Sequence, residues 1–102
     1  MKLVTFNIRY DGGQDGVNNF EFRKELILEK IAREDPDLIC FQEVLPHVLV
    51  WLKENLASYM ILGCGRGVTL DDECEAIAVK TERFNLIHLD TFWLSPTPEV
   101  PG

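Results

Sequence analysis

The feature that most constrains this chain is a short apolar run, an amphipathic stretch and a second short apolar run in close succession. Lys2 to Ile8 is rich in Val, Phe, Ile and Thr and is closed by the turn-forming YDGGQDGVNN, which predicts a strand. Its apolar residues fall on both faces, which predicts a central position in a sheet. From Phe20 to Glu34 the spacing becomes helical, with Phe20, Ile27 and Ile31 in one stripe, Leu28 and Ala32 beside it, and Asp35-Pro36 as the stop. Leu38 to Gln42 reads as a second buried strand. A strand, helix and strand of these lengths predict a right-handed parallel crossover, so the fold class is α/β.

Downstream, Pro46 suits a first helical turn, and Leu45, Leu49, Leu52 and Leu56 make an i, i+4 stripe through Ala57. Tyr59 to Gly63, Glu75 to Lys80 and Phe84 to Leu89 read as strands, with Lys80 to Arg83 turning between the last two and Gly65 to Cys74 a polar loop. Both faces of Glu75 to Lys80 are apolar enough to expect cover. TFWLSPTPEVPG has the composition of a connecting loop.

Charge and cysteine content narrow the function. A formal charge of -7 has the wrong sign for a protein that displaces counterions from a nucleic-acid backbone, so a general DNA or RNA binder is disfavoured. The three cysteines, Cys40, Cys64 and Cys74, are odd in number and lie in or beside apolar runs, as reduced thiols in a cytoplasmic protein do. Neither a signal-peptide core nor a run of membrane-spanning length is present, so no membrane partner is expected. One domain, or part of one, is all that 102 residues can build.

If the first two strands are parallel neighbours, Asn7 and Glu43 lie at carboxyl ends on the same sheet edge, where α/β sheets bind ligands. One carboxylate beside one amide makes half of a magnesium site, because Mg²⁺ takes one or two carboxylates and completes its shell with water and phosphate. The plainer reading is that Asn7 closes a turn and Glu43 is a solvated acid at a helix start; spacing alone favours it. His47, at a helix start, and His88, in a predicted strand, read as structural or solvated.

At these residues the sequence resembles the endonuclease/exonuclease/phosphatase superfamily, with its deoxyribonuclease-I-like fold. The resemblance rests on Thr5-Phe6-Asn7-Ile8-Arg9-Tyr10 and on Pro36-Asp37-Leu38-Ile39-Cys40-Phe41-Gln42-Glu43-Val44, in that order with the amphipathic helix between. Gly63-Cys64-Gly65-Arg66, Glu73, Ala76-Ile77, Arg83-Phe84 and Thr91-Phe92-Trp93-Leu94-Ser95 extend it over nearly the whole chain. It implies the N-terminal half of a four-layer αββα sandwich. The implied activity is hydrolysis of a phosphate ester with Mg²⁺ or Mn²⁺, Glu43 and Asn7 holding the metal and Asn7 also positioning phosphate and water.

The loop from Gly65 to Cys74 would then border the substrate groove. Arg66 is a phosphate-facing candidate because a guanidinium can fork onto two oxygens, and a surface arginine in a glycine-flanked turn is an equally good reading. Glu73 is either a groove residue or a strand-start acid. Asp71, Asp72 and Glu73 make the loop acidic, which points to a small phosphorylated substrate rather than a long polyanion. The superfamily's later Asp-x-Asn and Asp-His motifs have no counterpart here, so residues 1–102 correspond to a partial domain expected to be inactive and to self-associate through uncovered sheet. The alternative is a non-catalytic αβ interaction module that keeps the scaffold and only binds.

Overall fold

In the computed structural model, which describes residues 1–12 and 15–101, β1 (Leu3–Asn7) and β2 (Leu38–Val44) pair in parallel, as the crossover predicts. The connection between them is α1 (Phe20–Glu34), preceded by a single 3-10 turn at Gly16–Asn18. Glu21 in its first turn and Arg33 in its last suit the helix dipole. Asp35 ends it in the left-handed region at φ 43°, its N–H donating to the Ile31 carbonyl at 2.8 Å, and Pro36 prevents continuation. α2 (Pro46–Asn55) follows with proline in its first turn, then β3 (Tyr59–Leu62) and β4 (Cys74–Lys80). The sheet order is β1-β2-β4-β3, and β4 runs antiparallel to both of its neighbours.

Both helices cover one face of this sheet. Phe20, Ile27 and Ile31 from α1 and Val48 and Leu52 from α2 join Ile39, Phe41, Ile61, Ala76 and Ala78 in one buried cluster. The small side chains of Ala76 and Ala78 let the helices approach the sheet closely. Leu56 is buried just past α2, while Leu45 and Leu49 pack at the margin, so the leucine stripe is core packing. The architecture is the expected mixed α/β type, one sheet with helices on one side.

Two expectations fail. β1 is at the outer edge of the described sheet rather than its centre, with β2 as its one neighbour. Phe84 to Leu89 forms no strand. The turn after β4 does form, Arg83 N–H donating to the Lys80 carbonyl at 3.1 Å. A hairpin partner, however, needs a free edge, and both edges of β4 are already occupied by β2 and β3. Residues 84–88 instead run beside Met60, Leu62 and Val79, lining a cavity of about 400 Å³ with them.

The face away from the helices is organised in rows. Leu3, Leu38, Val79 and Met60 are register partners across all four strands, and Thr5, Cys40, Ile77 and Leu62 make the next row. Leu3 is 59% exposed, Ile77 40% and Met60 38%. Covering roughly a few hundred Å² of such surface is worth several kcal/mol at about 25 cal/mol per Å². Among the described residues, no helix is long and apolar enough to cross a membrane.

Ionic contacts tie the opposite end of the sheet together. Asp37 accepts from the Lys2 backbone N–H at 2.7 Å and faces Arg83 at 3.4 Å, and Lys80 Nζ donates to Asp35 at 2.6 Å. The Lys2 amide holds the Asp37 carboxyl below its ordinary range, and Lys2 does the same for Glu34 through a side-chain hydrogen bond. A depressed carboxyl stabilises the fold fully above its unfolded value and loses that contribution as pH falls through the folded one. Denaturation midpoints should therefore be flat at neutral pH and fall below about pH 4.5, and Asp37→Asn should flatten part of that fall. The open face generates a second expectation. Purified 1–102 should bind a hydrophobic dye and sediment in a concentration-dependent manner, and Met60→Lys with Ile77→Lys should suppress both. A dye-silent monomer at high concentration would show that the face needs no cover.

Candidate functional site at the sheet edge

Because β1 and β2 are parallel and β4 is antiparallel to β2 and β3, one edge of the sheet gathers the carboxyl ends of β1, β2 and β3 with the amino end of β4. Asn7 leaves β1 there, opposite Gln42, and the Ile8 N–H donates to the Gln42 carbonyl at 3.1 Å. Regular alternation along β2 would send Glu43 to the helix-covered face with Phe41. The β2–β4 register shifts between Phe41 and Val44, and Glu43 adopts a left-handed φ of 61°. That bulge re-aims the side chain, and the Glu43 carboxylate accepts the Tyr10 backbone N–H at 2.7 Å.

Asn7 and Glu43 line one cavity together with Arg9, Asn18 and Arg23. Asn7 Oδ1 accepts the Arg9 backbone N–H at 2.8 Å, so the residue does close a turn, as the plainer reading expected, while still facing the cavity. Arg9 is left-handed at φ 70°. Two cavity residues held in this sparsely populated region, each worth about 1–2 kcal/mol of strain, mark a place where backbone comfort yields to side-chain placement.

The charge of the cavity is set by two arginines with different commitments. Arg9 forks onto Asp15 with both contacts at 2.7 Å; the hydrogen bond raises the Arg9 pKa and lowers that of Asp15. Arg23 donates instead to the Asn18 carbonyl at 2.7 Å and the Ile8 carbonyl at 3.1 Å, and its Nη2 is buried without a partner. Among the described residues it makes no ion pair, and its charge acts at longer range on Asp15. Sequence reasoning missed Arg23. The signal was present, because Phe20, Arg23 and Ile27 follow an i, i+3, i+7 spacing that places a cation on the core-facing stripe.

Arg66 and Glu73 lie elsewhere. They line a second cavity of about 530 Å³ with Cys64, Glu75, Phe92 and Trp93, and it shares no lining residue with the first. Arg66 meets Glu73 at 3.1 Å and Asp72 at 3.6 Å, and its backbone N–H donates to the Glu73 carbonyl at 3.3 Å. Burial pushes the Cys74 thiol up to about 11, and His47 Nε2 meets Asp11 at 2.7 Å on the surface. The acidic Thr69–Glu73 stretch is internally bonded, Thr69 Oγ1 donating to Asp71 and the Glu73 N–H to Asp72 at 2.7 Å.

The donor set of the first cavity suits a hard cation: one carboxylate and one amide oxygen, with no thiolate or imidazole. No hydrogen bond among the described residues engages Glu43 Oε1, which leaves an oxygen for an ion. Among those residues no group of three or more His, Cys, Asp or Glu could hold a metal ion; the cavity itself offers the Glu43 carboxylate and the Asn7 amide oxygen.

No protein-family model matches the chain, and no curated protein matches it. Solved structures do. A functionally unknown conserved protein from Enterococcus faecalis V583 is similar at 33% identity and a TM-score of 0.91, over 100% of this chain and 40% of that one. An endonuclease/exonuclease/phosphatase family protein from Bacteroides thetaiotaomicron is similar at 33% identity and 0.87, over 97% and 38%. A mannosyl-6-phosphatase from Bacteroides thetaiotaomicron VPI-5482 is similar at 31% identity and 0.91, over 100% and 39%. The chain thus spans about two-fifths of the length of the solved proteins it matches. With this fold and this similarity along nearly all of its length, the chain belongs to the endonuclease/exonuclease/phosphatase superfamily.

Proposed function

We propose that this chain carries the metal-and-phosphate corner of a Mg²⁺- or Mn²⁺-dependent phosphoesterase acting on a small phosphorylated substrate. The observation that carries the reading is the convergence of Asn7 and Glu43 in one cavity with Arg23, whose Nη2 has no hydrogen-bond partner. The similarity to a mannosyl-6-phosphatase supports a substrate of sugar-phosphate size. The net charge of -7 and the acidic Asp71–Glu73 run argue against a nucleic-acid strand in the groove. Three free cysteines suit a reducing, cytoplasmic setting.

Glu43 would hold the ion through the oxygen left open by the Tyr10 contact, and Asn7 would lend the remaining lone pair of Oδ1. A bound Mg²⁺ or Mn²⁺ would supply Lewis-acid polarisation of the phosphoryl oxygens. With Asn7 Oδ1 anchored on Arg9, its amide group is fixed and can donate to a phosphate oxygen or orient the attacking water. Arg23, half-buried and with its Nη2 unpartnered, favours the dianion electrostatically without leaving its carbonyl contacts. The Tyr10 N–H, donating to Oε2, keeps the Glu43 carboxylate in place. The base that deprotonates water has no candidate in this cavity, so chemistry needs residues outside 1–102.

Two outcomes follow. In the full-length enzyme Glu43→Gln should lower turnover of a sugar phosphate by about two orders of magnitude or more, with an unchanged circular dichroism spectrum. Near-normal turnover would remove the metal assignment. Purified 1–102 should release no phosphate at any Mg²⁺ or Mn²⁺ concentration; chelator-sensitive release would show the machinery to be complete within it.

A further inference from the structure

The cavity that holds Arg66 and Glu73 is separate from the Glu43 cavity, but its wall reaches the strand next to the one that carries Glu43. Val44 and Cys74 are register partners across β2 and β4, so the second cavity begins about one strand spacing, roughly 5 Å, from the backbone of Glu43. Its aromatic wall is held in a defined way: Trp93 Nε1–H donates to the Arg66 carbonyl at 2.9 Å. The polar edge of the indole is thereby engaged inside the protein, and what remains for a ligand is the apolar ring. Trp93 also has a backbone anchor, its N–H donating to the Pro98 carbonyl at 2.7 Å.

The polar lining excludes some ligands and suits others. Arg66 is neutralised by Glu73 and Asp72, and Glu75 adds a further carboxylate, so the cavity carries no free cation for a second phosphate. Carboxylates accept from hydroxyl groups, and the guanidinium of a neutralised pair can still donate to them. An aromatic face beside hydroxyl-binding carboxylates fits a neutral ring that carries C–H on its faces and O–H at its rim. From this we infer that the cavity formed by Arg66, Glu73, Glu75, Phe92 and Trp93 is a subsite for the pyranose ring of the substrate. It deepens the phosphoesterase reading by naming the organic half of the ester, yet ring binding requires neither metal nor chemistry. Arg66 and Glu73 thereby become sugar-binding residues rather than phosphate-binding ones.

The test follows the two tryptophan indole N–H resonances of ¹⁵N-labelled protein without metal, titrated separately with methyl α-mannopyranoside, inorganic phosphate and adenosine. Trp51, packed edge-on against Phe20 at 5.0 Å between ring centroids, reports the integrity of the fold in the same spectrum. The Trp93 resonance should shift saturably with the glycoside, with a dissociation constant on the order of millimolar, while Trp51 stays in place. Glu73→Gln should weaken that binding about tenfold, and Glu43→Gln should leave it unchanged. A Trp93 resonance that ignores the glycoside, or answers phosphate or adenosine more strongly, overturns the inference. Glycoside binding by a full-length enzyme that, with Mg²⁺ or Mn²⁺, hydrolyses no phosphoester would instead retain the subsite and overturn the phosphoesterase reading.

Discussion

The parallel pairing of β1 with β2 is the constraint from which the rest of this structure follows. Parallel neighbours cannot be joined by a tight turn, so the chain must climb back along one face of the sheet, and α1 is that return path. The return brings two carboxyl ends to one edge, which is why residues 36 positions apart in sequence, Asn7 and Glu43, line the same cavity. The same helix delivers Arg23 beneath it. Site and scaffold are therefore not separable: the residue that stiffens the β1–α1 loop through the Ile8 and Asn18 carbonyls also charges the cavity.

The position of β4 between β2 and β3 is the second determinant. By occupying the inner edge of each neighbour it sets the order of the sheet and leaves no β4 edge for the segment after Lys80 to join as a hairpin. That segment passes beside Met60, Leu62 and Val79 and returns with Trp93 to the loop at Arg66. The connection that the sequence reads as a hairpin therefore becomes one wall of a cavity. The row of Leu3, Leu38, Val79 and Met60, exposed at Leu3 and Met60 and half-buried between, marks the surface that a further layer would cover.

Much of this was legible because periodicity is a direct record of burial. The stripe of Phe20, Ile27 and Ile31 and the stop at Asp35-Pro36 predict α1 to the residue, and the alternation in β4 predicts one covered face and one waiting for cover. What was not legible depended on pairing partners. The β1 run looks central because Val4 and Phe6 pack on the helices while Leu3 faces the open side, and nothing local to that run says how many neighbours it has. Phe84 to Leu89 has strand composition, but the β4 edge that a hairpin needs is held by β2 and β3. The bulge at Glu43 was equally invisible, although it decides where the carboxylate points. Arg66 and Glu73 were read one by one as groove candidates, and their mutual neutralisation became visible only in the fold, where they face each other at 3.1 Å across the loop.

The central claim is that Glu43 and Asn7 together receive a divalent cation at the β1–β2 edge. Paramagnetic broadening by Mn²⁺ tests it most directly, read on the Asn7 side-chain amide and the Tyr10 backbone N–H of ¹⁵N-labelled protein. The account predicts that substoichiometric Mn²⁺ erases these two signals first, that Mg²⁺ restores them by competition, and that Glu43→Gln abolishes the effect. Broadening centred instead on Asp71, Asp72 and Glu73, or unchanged in Glu43→Gln, would contradict it.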